Sequence, residues 1–153
     1  MSELFLIVTL AGQRIGVPAR DVEAVVEIGA LVPVPRAATH VAGLAALRSK
    51  VLTVIDCYAS LGLQALQPRR RRRQAIVTQA EGHSYALMVD EAEDVVEIAT
   101  EVQPVRVPLS PGWRRVTTGM IEIGGAPLLL VDMQALLAGP NAPAARDASP
   151  KAA

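Results

Sequence analysis

Residues 12–28 read GQRIGVPARDVEAVVEI, and residues 82–98, seventy positions later, read GHSYALMVDEAEDVVEI. Each opens on glycine, runs through a short apolar stretch, crosses an acidic segment and closes on the tetrapeptide VVEI: Val25–Ile28 in one copy, Val95–Ile98 in the other. A second pair follows in the same order. Gly43-Leu44 opens a segment that ends at Asp56, and Gly119-Met120 opens one that ends at Asp132, with a separation of thirteen in both. A leucine-bearing stretch follows each Asp, at Leu61 and at Leu136-Leu137. Two matches in one order identify a doubled unit. The expectation is one domain over residues 1–139 with two interleaved lobes, about 14–66 and about 74–136, and an N-terminal strand at 3–10 completing the fold.

Within each unit the local signals are β. Leu4–Leu10, Val51–Ile55 and Leu128–Val131 are short apolar runs bounded by Gly, Pro or charge. Gln74–Gln79 and Tyr85–Val89 flank Glu81-Gly82, a hairpin pattern. Frequent turn signals favour small barrels or a sandwich. Helical signals are brief. Asp21–Val26 has the spacing for one or two turns with Val22 and Val25 or Val26 inward. Cys57–Leu61 and Met133–Leu137 each follow an Asp in capping position. The Ala- and Pro-rich tail, residues 140–153, is expected to be disordered.

Hydrophobic residues make up 51% of the 153, yet only four residues are aromatic, so the core must be built of Val, Leu, Ile and Ala. The apolar stretch Ile28–Pro35 is too short to span a bilayer and carries two prolines, and 116–139 holds Glu122 and Asp132 with Gly124, Gly125 and Pro127. The start, MSELFLIVTLAGQRIGVP, has Glu3 and no basic leader, which predicts a soluble, cytoplasmic protein. Cys57 is alone, so neither a disulfide nor a cysteine metal pair is available. Fifteen basic and fifteen acidic residues balance, and bulk charge predicts no affinity for nucleic acid or membrane.

The segment Val41–Gly62, VAGLAALRSKVLTVIDCYASLG, resembles the signature region of CheW-like domains. Gly43, Leu44, Leu47, Arg48, Val54, Asp56, Leu61 and Gly62 fit that pattern, as does the proline-containing approach VPVPRAATHVAG. The resemblance extends over residues 3–138. It departs at Ala46, where the family has Asn, at Ser49, where it has Gly, at Thr53, where it has Pro, and at Ala24, where it often has Glu. The resemblance implies two five-stranded, SH3-like barrels packed together, an all-β fold. It implies a chemotaxis adaptor without catalytic residues, cofactor or metal. Its implied partners are the regulatory domain of a CheA-type histidine kinase, the cytoplasmic tip of a chemoreceptor lying in an apolar groove between the lobes, and other CheW-like proteins.

Arg48 sits where a turn would project it outward, and its planar fork of donors suits a carboxylate or carbonyls across an interface; the competing reading is an internal pair with Glu27. On the adaptor reading the contact set from the first unit is Arg48, Gly43, Leu44, Leu47, Val25, Val26 and Glu27, and from the second Val95, Val96 and Gly119. The valines have a rival role as plain core, and the two glycines as sites of tight turn or close strand approach. Asp56 and Asp132 read as strand ends that cap the next turn. Pro68 and the five arginines 69–73 read either as a solvated linker or as a nucleic-acid patch, the latter without aromatic residues to stack on bases. His40 and His83 read as surface or turn residues, Cys57 as a small buried hydrophobe, and Trp113 as a packing anchor.

Overall fold

A computed structural model of the chain describes residues 2–63, 73–99 and 101–145. Ten strands run in chain order: β1 (Glu3–Leu10), β2 (Gln13–Pro18), β3 (Ala24–Ile28), β4 (Val41–Leu47), β5 (Lys50–Asp56), β6 (Arg73–Ala80), β7 (His83–Val89), β8 (Glu91–Ile98), β9 (Thr117–Ile123) and β10 (Ala126–Val131). Three short helices, α1 (Cys57–Ser60), α2 (Pro111–Val116) and α3 (Met133–Ala138), and a 3-10 turn (Ala19–Asp21) complete it.

The strands form two five-stranded sheets, ordered β8-β1-β2-β10-β9 and β3-β6-β7-β5-β4. The repeat is visible in them: β1 corresponds to β6, β2 to β7, and β3, β4, β5 to β8, β9, β10. The halves are nevertheless exchanged. Hairpin β1–β2 completes the sheet of β8, β9 and β10, and hairpin β6–β7 completes that of β3, β4 and β5. The joints are matching parallel pairs, Ile15 against Leu129 in one and Tyr85 against Thr53 in the other. The lobes are therefore built from residues 3–18 with 91–131, and from residues 24–56 with 73–89, rather than from 14–66 and 74–136. The chain shuttles between them twice.

Each sheet curls toward closure through a backbone bridge at its far edge. Val32 exchanges hydrogen bonds with Leu44 at 2.9 and 2.8 Å, and Gln103 does the same with Met120 at 2.8 Å in both directions. β1 shows why its sequence is continuously apolar rather than alternating. Phe5 and Ile7 enter the core of the first barrel, whereas Leu6, Val8 and Leu10 enter a core shared by both barrels and the helices. A third cluster, with Leu52, Val54, Ala75 and Ala86, fills the second barrel.

Three expectations give way. Helical turns over Asp21–Val26 are confined to the 3-10 turn; Val25 and Val26 belong to β3, where β-branched side chains suit the ladder with β6. The tail does not leave the body at residue 140. Ala142 N donates to Gly139 O, and Ala145 N to Arg115 O at 2.7 Å, with Ala145 packed on the shared core. Residues 146–153 lie outside those described. His40 does sit in a turn, but it is buried rather than at the surface.

Candidate functional site

Four two-residue turns close the hairpins. Three have positive φ at both positions: Ala11-Gly12 at 54° and 79°, Glu81-Gly82 at 51° and 81°, and Gly124-Gly125 at 57° and 81°. These are the twisted turns that match the strand twist. The fourth is Arg48-Ser49, where Arg48 alone is left-handed, at 57°. Its counterpart in the repeat is Gly124. A side chain in that region costs roughly 1 kcal/mol relative to glycine. Arg48 is exposed, and no hydrogen bond or ion pair ties its side chain to the described residues, Glu27 included. Nearby, Lys50 Nζ meets Glu23 Oε2 at 3.1 Å, fixing the hairpin to the approach to β3.

Around this hairpin, the face turned away from the barrel core is aliphatic. Val32 lies beside Leu44, and Ala46 lies opposite Val51. Val32 is 63% exposed and Val51 64%. In the other barrel the corresponding positions are Gln103, Met120, Glu122 and Pro127. The two barrels have thus diverged at this face, apolar beside an exposed guanidinium on one and carrying a glutamine and a carboxylate on the other. Leu44 and Leu47 are half-buried, Leu47 facing inward against the second barrel's core.

Gly43 and Gly119 are buried, and their role is the barrel bridge. A Cβ on Gly43 would stand 2.7 Å from Val32 O, and one on Gly119 would stand 2.6 Å from Val102 Cγ1. Neither glycine presents surface of its own, and each serves the close approach of backbone at the bridge. The repeated tetrapeptides are edge strands with the same pattern in both copies. Val26 and Val96 are half-buried against their barrel cores; Val25 is 41% exposed and Val95 53%. The residues expected to make contacts thus fall in two places, the Arg48 hairpin and the edge strands β3 and β8 of the two sheets.

Sequence reasoning missed a polar cluster that ties the helices together. The last carbonyls of α3 are taken one by one: Arg115 Nη1 donates to Ala135 O at 2.6 Å, Ser60 Oγ to Leu136 O at 2.6 Å, and His40 Nε2 to Leu137 O at 2.9 Å. Arg115 Nη2 also reaches Ser60 O and Oγ at 3.1 Å. Burial lowers the Arg115 pKa from the usual arginine value, but its charge is spread over carbonyls rather than a carboxylate. At the helix starts, Asp56 Oδ1 accepts from Tyr58 N and Ala59 N, and Asp132 Oδ1 from Gln134 N. The Cys57 thiol is fully buried; desolvation, then Asp56 and Asp90, pushes its pKa far up, so it is inert at neutral pH. Trp113 on α2 packs on the shared core, and His83 is exposed. No cluster of metal-binding side chains occurs among the described residues, and no described helix is long and apolar enough to cross a membrane. Of the arginine run, Arg73 opens β6; Pro68 and Arg69–Arg72 lie outside the described residues, and nothing described favours nucleic-acid binding.

Two interlocked five-stranded sheets, each completed by a hairpin from the other half of the chain, define the class of domain. The family model for the CheW-like domain matches residues 4–140, and the chain belongs to that family of chemotaxis scaffold proteins. A chemotaxis protein CheW of Rhizobium meliloti (strain 1021) is 30% identical over 105 residues, 68% of this chain and 67% of that protein. A probable chemotaxis protein CheW of Rhizobium etli is 29% identical over 112 residues, 72% of each. The crystal structure of the scaffolding protein TtCheW from Thermoanaerobacter tengcongensis superposes with a TM-score of 0.73 at 20% identity, over 86% of this chain and 90% of that one, a likeness of fold.

Proposed function

We propose that this chain is a coupling adaptor in a chemotaxis array, holding a CheA-type kinase regulatory domain and a chemoreceptor tip in one assembly. The kinase domain docks on the Arg48 hairpin face, and the receptor helices lie along the margin between β3 and β8. The observation that carries the reading is Arg48 itself. An exposed arginine held in a left-handed turn, with no partner among the described residues and beside exposed Val32 and Val51, costs stability and gains nothing from those residues. An adaptor of this kind shifts kinase activity only by binding the kinase's two states with different affinity.

A titration by calorimetry of the chain with a kinase regulatory domain and a receptor-tip fragment from one cell tests this. Micromolar binding of the kinase domain is expected, lost in Arg48→Glu and retained when the arginines 69–73 are replaced by serine. Absence of binding to both partners, with salt-sensitive capture of nucleic acid instead, would refute the reading.

A further inference from the structure

The helix layer departs from the repeat in one direction only. Positions seventy-six apart correspond there: Asp56 with Asp132, Ser60 with Leu136, His40 with Val116 and Thr39 with Arg115. The backbone keeps the correspondence, since Asp56 N donates to His40 O at 2.8 Å and Asp132 N to Val116 O at 3.0 Å. The helix ends do not keep it. α1 closes on itself, with Leu61 N on Cys57 O at 3.0 Å, Gly62 N on Ala59 O at 3.0 Å and Leu63 N on Tyr58 O at 2.8 Å, and Gly62 is left-handed at φ 74°. In α3 the amide that would return to Leu136 O belongs to position 140, and Pro140 has none.

Side chains take over that closure, and they reach across the molecule. α3 follows β10 of the first barrel, whereas Ser60 and His40, which hold its Leu136 and Leu137 carbonyls, follow β5 and precede β4 of the second. Arg115, on α2 at the entry to β9, holds Ala135 O with Nη1 and both Ser60 O and Ser60 Oγ with Nη2. One guanidinium thus fastens the last helix of one barrel to the helix of the other. Its counterpart Thr39 is exposed, so the second barrel closes without an equivalent. Adhesion does not explain Arg115 either. It is buried among neutral oxygens, and apolar side chains of similar volume commonly hold a buried seam as well as charged ones do. What a planar fork adds is direction, two bonds at a fixed angle.

We infer that Arg115 is a positioning residue, which sets the angle between the two barrels by pinning α3 to α1. The inference rests on the coupling reading only for its consequence in binding. That reading puts the kinase domain on the Arg48 hairpin, wholly within the second barrel, and the receptor helices along β3 and β8, one strand from each barrel. A change of angle alters the second surface and leaves the first as it is. The Arg48 turn also lies at the far end of β4 from His40, a strand of seven residues and about 20 Å away.

Two variants of the full chain test it. Arg115→Met keeps the length of the side chain and removes the fork. Ser60→Ala removes one acceptor of the fork and the donor to Leu136 O, and carries the test should Arg115→Met fail to fold. Spin labels at Glu81→Cys and Glu122→Cys, exposed positions in the second and first barrels, report the distance between barrels by pulsed electron resonance, while Cys57 is buried away from the label. The parent chain should give one narrow distance, and each variant a shifted or broadened one with an unchanged circular dichroism spectrum. In titrations Arg115→Met should weaken binding of a receptor-tip fragment by roughly tenfold and that of the kinase domain by less than about twofold. An unchanged distance in the folded variants overturns the inference. So does an equal loss toward both partners, which is what plain destabilisation produces. If neither partner binds the parent chain, the coupling reading falls, and the distance measurement still decides the role of Arg115.

Discussion

Arg48 and Gly124 occupy the same place in two copies of one hairpin, with the same φ of 57°, and only one of them is glycine. The pair allows strain and recognition to be separated. Arg48→Gly relieves the left-handed backbone at an exposed position and should stabilise the fold, by up to about 1 kcal/mol, while removing the guanidinium. Expected are a higher urea midpoint and weaker kinase-domain binding in the same variant; a variant that is both less stable and undiminished in binding would contradict the role given to Arg48. That the turn exists was readable from the sequence, because two apolar strands flank Arg48-Ser49. Its strain was not, since the missing glycine leaves open which of the two residues becomes left-handed. Arg115 and His40 were unreadable for another reason: their partners are backbone carbonyls of α3, twenty and ninety-seven positions away. A carbonyl is carried by every residue, so no side-chain pattern announces it.

At the scale of elements, the two Asp-led turns were legible because capping is local: the aspartate and the amides it accepts lie two or three residues apart. β3 was misjudged because Asp21–Val26 satisfies helical spacing on its own, and only the ladder with β6 decides for a strand. The segment after α3 was misjudged on composition. Small residues and prolines suggest disorder, yet Gly139 packs where any Cβ would fall 2.5 Å from the His40 ring, and Ala145 closes on Arg115 O. Residues 139–145 therefore strap the helix layer. Truncation after Ala138 removes that contact and one backbone hydrogen bond to α2, and should lower stability by about 1–2 kcal/mol. Chemical denaturation of the truncated chain measures it; an unchanged midpoint would mean that the strap contributes nothing to the fold.

At the scale of the molecule, the repeat predicted two lobes but not which half supplies which hairpin. The reason is physical. Equivalent strands carry equivalent apolar faces, so a hairpin fits the sheet of its own half and that of the other half with nearly the same pattern of buried side chains. The exchange has a consequence for integrity. Neither half contains a complete sheet: residues 1–63 hold β1–β2 of one and β3–β5 of the other, and residues 73–138 hold the complements. Cutting the chain between them leaves the two parallel joints, the edge pairings β1–β8 and β3–β6 and the shared core in place. A chain with a protease site inserted between Gln64 and Gln67, once cleaved, should elute as one particle containing both pieces and should bind the kinase domain as before. Its unfolding becomes a dissociation, so its melting temperature should rise with protein concentration, which that of the uncut chain does not. Separation of the pieces under native conditions would mean that each half closes on itself, and the exchanged sheets would be wrong. Co-elution with a concentration-dependent midpoint would establish that adaptor function requires the two halves to be interlocked, not joined.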